Sequence, residues 1–182
     1  MNAYILTGGQ SRRFGSDKSI ATIEDLTFTK ILYNRLETLF DNVTIIGKIR
    51  THSKLPFLPD KIETQCPMTG IYTGLSSTKS DWNLFVAVDM PMVGKETVNL
   101  LTQTISDKVK IIIPTVKDRL QPMCALYHKS LTEDLEKNLQ NGNYKLMDFI
   151  SNHPSRTVNA DALSSQFLNV NSPEDFEKLN NY

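Results

Sequence analysis

An α/β fold, with three α/β/α layers around a mostly parallel sheet, is predicted by three features of the sequence. A short apolar run, Ala3-Tyr4-Ile5-Leu6, stops at the glycine pair Gly8-Gly9. An amphipathic stretch beginning at Thr27 is followed by a second apolar run, Val43-Thr44-Ile45-Ile46. A third run, Leu84-Phe85-Val86-Ala87-Val88, ends on Asp89-Met90-Pro91. Continuous apolar runs alternating with a 3.6-period segment mark buried parallel strands joined by a crossover helix. Ligands of such sheets gather at the carboxyl ends of the strands.

The first strand runs into Leu6-Thr7-Gly8-Gly9-Gln10-Ser11-Arg12-Arg13-Phe14-Gly15-Ser16-Asp17-Lys18. Glycines let backbone N–H groups approach an anion, and the guanidinium and ammonium groups neutralise its charge, so the stretch predicts a triphosphate cradle. A P-loop is excluded, because five residues rather than four separate Gly9 from Gly15 and Ser16-Asp17-Lys18 follows. The dinucleotide fingerprint fails too, since Gly8 and Gly9 are adjacent. A tight turn carrying solvated charges is the plain alternative.

From Thr27, a candidate N-cap, apolar residues at Phe28, Ile31, Leu32, Leu36, Leu39 and Phe40 recur at spacings of three and four and predict a helix. The strand Val43–Ile46 completes a βαβ unit. Residues 47–59, polar and carrying Pro56 and Pro59, predict a long surface connection with little regular structure. Asp60 follows, and Cys66-Pro67-Met68-Thr69-Gly70 turns into a helix through Ile71 and Leu75. The strand Leu84–Val88 presents Asp89 at its tip, where Pro91 ends the strand. A carboxylate there suits a hard cation such as Mg²⁺, which shares its ligands with phosphate oxygens and water, or else caps the next helix.

A helix is predicted from Lys95 to Ile105 and a buried strand from Lys110 to Pro114. The chain turns back through Asp118-Arg119-Leu120-Gln121-Pro122 into Met123–Tyr127, a hairpin partner or neighbour. Ser130 is a candidate cap for a helix through Leu131, Leu135 and Leu139, and Asn141-Gly142 breaks it before a helical stretch from Tyr144 to Ile150. Phe167-Leu168-Asn169-Val170 predicts a short strand, followed by a helix with Ser172 as N-cap and Pro173 at its first position.

A length of 182 residues suits one domain, 1–182, able to bury roughly 70% of its unfolded surface. Twenty basic and twenty acidic residues cancel, so no global field favours nucleic acid or an anionic membrane. Cys66 and Cys124 are too few and too distant for a disulfide framework or zinc knuckle, and both are expected as small buried hydrophobes in a reducing cytoplasm. No secretory signal is expected, since Asn2 to Leu6 is short and runs straight into the glycine loop, and no stretch approaches the roughly 20 apolar residues of a membrane span. His52, His128 and His153 stand apart from one another, and no Ser-His-Asp, Cys-His or paired-carboxylate pattern is legible.

The opening string resembles the signature of the molybdenum cofactor guanylyltransferases, within the wider nucleotidyltransferases of Rossmann-like fold. The resemblance implies that Leu6, Thr7, Gly8, Gly9, Lys18, Asp60 and Asp89 bind GTP, Gly8 and Gly9 against its base and ribose, with Thr7 where the family usually has Ala. It gives Arg13 and Lys18, with Arg12 a lesser candidate, the triphosphate. Asp60 matches an aspartate that helps to bind the nucleotide, and Asp89 matches the magnesium site. Cys66 replaces the first glycine of a Gly-Pro-Leu-x-Gly turn, and a need for φ > 0 there would strain it. Gln121, Pro122, Lys145, Asn169 and Asn171 match positions on the pterin side, and Arg119 could meet an anionic substrate. Arg13, Lys18 and Asp89 carry the catalytic roles.

The implied reaction transfers GMP from GTP to the terminal phosphate of molybdopterin with Mg²⁺ and releases pyrophosphate. The implied partners are GTP, the pterin, and transiently cofactor-insertion proteins or molybdoenzymes. Three alternatives remain open at this level: a cytidylyltransferase for the same pterin, a sugar-1-phosphate nucleotidyltransferase, and a non-catalytic nucleotide-binding or delivery module.

Overall fold

The structure, a computed structural model, describes residues 1–7, 22–23 and 26–170. Its strands are β1 (Asn2–Leu6), β2 (Thr22–Ile23), β3 (Leu26–Thr27), β4 (Asn42–Gly47), β5 (Phe57–Pro59), β6 (Trp82–Ala87), β7 (Ile111–Val116), β8 (Arg119–Leu120), β9 (Cys124–His128) and β10 (Ser155–Asn159). The α-helices are α1 (Phe28–Leu36), α2 (Pro67–Leu75), α3 (Lys95–Thr102), α4 (Thr132–Gln140) and α5 (Leu146–Ser151). The main sheet has the order β10-β7-β9-β6-β1-β4-β5, with β8 folded back on β7, and β2 pairs with β3 separately. β9 is antiparallel to β6 and β7, whereas β1 is parallel to both β4 and β6. The sheet is therefore mixed, with a mostly parallel main path.

β1 shows why its run is apolar on both faces. Ala3 and Ile5 share one core with Phe28 and Leu32 of α1 and Leu101 of α3, while Tyr4 and Leu6 share the other with Met68 and Ile71 of α2. Alternate residues thus enter opposite cores, which a strand covered by helices on both sides requires. β6 repeats the pattern: Leu84 and Val86 enter the first core and Phe85 the second, where it stacks on Tyr4 at 5.0 Å between ring centroids. Each such fully buried side chain contributes about 1.5–3 kcal/mol.

α1 begins where its sequence says it should, because Thr27 Oγ1 accepts the Lys30 N–H at 3.2 Å. The helix ends earlier than the apolar period, with Leu39 in the turn beyond it and Phe40 just after that turn. Phe57–Pro59 is a strand rather than part of an irregular connection. It occupies the sheet edge, where prolines are tolerated because no ladder N–H is missed. β10 closes the opposite edge, and its sequence hid it because Val158 is its single apolar residue.

Ser130 does not cap α4. Lys129–Leu131 first forms a 3₁₀ turn, and His128 Nδ1 accepts the Ser130 N–H at 3.2 Å. Phe167 ends a 3₁₀ helix, Asp161–Phe167, and residues 168–170 run on without regular structure instead of forming a strand. Buried Phe167 and Val170 explain the apolar signal there, since they pack into the first core without a strand partner.

Candidate active site

The parallel register brings three strand ends together: Leu6 lies opposite both Ile46 and Ala87. Just beyond β1 and β6, the Val88 N–H donates to Leu6 O at 3.0 Å. Asp89 therefore stands at the tip of the central strand β6, beside the exit of β1 that leads to Gly8. The tip is held from two further directions, by the Ala87 N–H on Met123 O at 2.8 Å and the Val170 N–H on Asp89 O at 2.7 Å. Asp89 is half-buried, and Asn169, exposed, is the residue next to its backbone partner.

On the other side of β1, Thr7 donates twice to Ile46 O, through its N–H and through Oγ1, both at 2.9 Å. Its hydroxyl lies where a side chain on Gly47 would have to be. Gly70 serves a second close approach: a Cβ there would sit 2.8 Å from Leu6 Cδ2, so the absence of one lets α2 settle on β1.

A cavity of about 200 Å³ opens beside these strand ends, with Leu6, Ile46, Lys48, Asp60, Cys66 and Met123 among its walls. Asp60 is placed by its N–H, which donates to Gly47 O at 3.0 Å, and by the following Lys61 N–H on Thr73 Oγ1 at 3.1 Å. Asp60 Oδ1 is sheltered from solvent and meets no hydrogen-bond donor among the described residues. Burial pushes the Asp60 carboxyl above its ordinary range, and the nearby Lys48 ammonium partly opposes that rise.

Cys66 is the N-cap of α2 with φ −147°, an extended backbone that needs no glycine, so the expected strain is absent. It is also only partly buried, with Sγ 3.3 Å from Thr69 Oγ1, and is not a core hydrophobe. Cys124 is one: it is fully buried, and burial pushes its thiol up to about 12.

Gln121 and Pro122 approach the tip of β6 through their neighbour Met123. The Gln121 N–H donates to Pro114 O at 2.9 Å, and buried Tyr127 donates its hydroxyl to Pro122 O at 2.8 Å. Arg119 is exposed at the start of β8. Lys145 lies elsewhere: it is exposed, 4.0 Å from Asp148, on a second cavity of about 360 Å³ that shares no wall residue with the first. Gly8, Gly9, Arg12, Arg13, Lys18 and Asn171 lie outside the described residues.

Lys48, Gly47 and Met123 were not singled out from the sequence. The signal available for Lys48 was its place just past the carboxyl end of a parallel strand, where ligands collect.

Comparison with known proteins finds relatives along most of the chain. Residues 3–157 match the MobA-like NTP transferase domain. The molybdenum cofactor guanylyltransferase of Campylobacter jejuni subsp. doylei is 30% identical, the match covering 98% of this chain and 95% of the relative. A Clostridium perfringens SM101 protein named "Probable molybdenum cofactor guanylyltransferase" is 31% identical, covering 98% and 95%. The crystal structure of molybdopterin-guanine dinucleotide biosynthesis protein A from Archaeoglobus fulgidus superposes with a TM-score of 0.81 at 20% identity, covering 98% of this chain and 96% of the other.

Proposed function

We propose, on the premise that the chain belongs to the family of MobA-like NTP transferase domains, that it transfers GMP from GTP to the terminal phosphate of molybdopterin. A phosphate oxygen of the pterin bonds to the α-phosphorus of GTP. The bond from that phosphorus to the bridging oxygen breaks, and its electron pair leaves with pyrophosphate. The product is the guanine dinucleotide form of the cofactor. The whole chain acts as one nucleotidyltransferase domain in the cytoplasm, and transient contact with cofactor-insertion proteins or molybdoenzymes delivers the product.

The observation that carries this reading is the placement of Asp89 beside the exit of β1, next to Val88, whose N–H donates to Leu6 O. Nucleophile and triphosphate are both anionic, so the chief demand on the protein is to neutralise and align them. Arg13 and Lys18 hold the triphosphate. Thr7, Gly8 and Gly9 bring backbone against the nucleoside, Leu6 gives it an apolar floor, and Asp60 accepts from it. Gln121, Pro122, Asn169 and Asn171 face the pterin, with Lys145 the more remote cation for its phosphate.

Asp89 fits Mg²⁺ by its chemistry: it is a half-buried carboxylate at a strand end, a hard oxygen donor. Mg²⁺ characteristically takes one or two carboxylates and completes its shell with phosphate oxygens and water. When bound, it supplies positive charge to the triphosphate. Asp89 would hold it, and the Val88 N–H on Leu6 O and the Val170 N–H on Asp89 O fix the backbone beside that carboxylate at the strand ends.

Calorimetry with GTP, CTP, ATP and UTP, with and without Mg²⁺, followed by pyrophosphate release in the presence of molybdopterin, tests the proposal. GTP-selective, Mg²⁺-dependent binding and pyrophosphate release are expected, with Asp89→Ala lowering turnover on the order of a hundredfold or more. CTP selectivity would reassign the protein as the cytidylyl enzyme. Nucleotide binding without pyrophosphate release would make it a delivery module.

A further inference from the structure

Lys48 and Asp60 leave two adjacent parallel strands at the same level. The β4–β5 register ends with Gly47 opposite Pro59, and each strand continues with one charged residue. The Asp60 N–H on Gly47 O, at 3.0 Å, carries the pairing to that level. Both side chains line the cavity that also holds Leu6 and Ile46, and the first residues of α2 form another part of its wall. The cavity therefore offers a donor cation and an acceptor anion over apolar surface. Oδ1 of that acceptor still has no donor among the described residues.

A phosphate group does not suit this combination, because Asp60 repels it at short range. A flat heterocycle with acceptors and donors along its edges suits it well. Guanine presents O6 and N7 as acceptors and its N1–H and N2 amine as donors, whereas adenine has an amine where guanine has O6. An ammonium attracts the first pattern and leaves an unmatched donor pair against the second.

We propose that Lys48 is a specificity-determining residue of the nucleotide site. Its ammonium donates to the O6 and N7 edge of guanine while Asp60 accepts from the base N–H groups, so the pair admits guanine and rejects adenine. This inference rests on the nucleotide site proposed above and adds the residue that selects the base.

The test compares dissociation constants for GTP and 2-aminoadenosine 5′-triphosphate, which carries an amine in place of O6, on the wild-type protein, Lys48→Met and Lys48→Arg. Wild type is expected to prefer GTP. Lys48→Met should weaken GTP on the order of tenfold or more, leave the analogue unchanged or tighter, and so collapse the preference, while Lys48→Arg retains it. Equal weakening of both nucleotides would place Lys48 on the phosphates and overturn the inference, as would an unchanged preference. Wild-type protein that binds neither nucleotide would overturn the nucleotide site itself, and the inference with it. Lys48 is exposed, so its variants leave the core intact.

Discussion

The Thr7 hydroxyl occupies the space that a side chain on Gly47 would need, and it donates from there to Ile46 O. Two residues that are distant in sequence are thus sterically complementary: one can carry a hydroxyl because the other has no side chain. The contact lies at the exit of β1, where it fixes the last described residue before Gly8 against β4.

Gly47→Ala should therefore destabilise the protein by about 1–3 kcal/mol, the usual cost of overpacking a filled site. Thr7→Ala in the same chain should restore most of the loss. Urea unfolding of the two single variants and the double variant measures the coupling directly. An additive pair would show that the overlap is relieved elsewhere.

Tyr127→Phe should cost about 1 kcal/mol, because it removes a buried hydroxyl and leaves Pro122 O without that donor. The effect should extend beyond stability. If Gln121 and Pro122 face the pterin, the variant raises KM for the pterin more than for GTP, and steady-state kinetics with each substrate varied in turn would reveal the asymmetry.

Acid should loosen the β7–β8 hairpin by a defined route. Lys117 and Asp118 both adopt positive φ, 48° and 60°, and Asp161 Oδ1 accepts the Lys117 N–H at 2.6 Å. That bond, followed by one from Asn159, holds the Asp161 carboxyl below its ordinary value of 3.8. The unfolded chain takes up this proton first as pH falls. The stabilisation is thus present above about pH 4 and is lost as pH drops through the lower folded value. Asp161→Ala should flatten this part of the acid limb in a thermal-melting series.

His128 predicts a second pH effect at milder acidity. Burial, and then the Lys110 charge, hold its pKa below 6.5, and in the neutral ring Nδ1 accepts the Ser130 N–H. Protonation removes that acceptor, so stability falls as pH drops below 6.5 toward the folded value. His128→Gln should melt with a shallower pH dependence between pH 5 and 7. An unchanged slope would mean that the 3₁₀ turn does not depend on this cap.

Much of the fold was legible because β1, β4 and β6 are buried on both faces and must be written as apolar runs, and because Thr27 is a cap of the kind helices use. The edges were less legible for a physical reason. Half-exposed strands such as β5 and β10 meet weak constraints on composition, and proline is admissible at an edge while it is excluded from the centre. For the site, Asp89 stood out because a strand end marks it, while Asp60 and Leu6 were named only through the family resemblance. Lys48 did not, since an exposed lysine after a strand is ordinary until the neighbouring strand brings a carboxylate beside it. Cys66 was misjudged in two respects. A helix N-cap accepts an extended backbone, so no glycine was required, and its place on a cavity wall left it half-exposed.

The order of strands across the sheet also bears on synthesis. β1 leaves the ribosome first, but one of its partners is β6, whose register pairs Asn2 with Asn83. The tip of β6 then depends on the carbonyl of Met123 and the N–H of Val170. Pairing across such separations closes long loops and comes late in folding. A nascent chain that has exposed β1 still lacks the neighbours that hold its carboxyl end and position Asp89. A site built on these strand ends is therefore complete only after the segment through Val170 has emerged, and chains truncated before Met123 should accumulate without competing for the substrate.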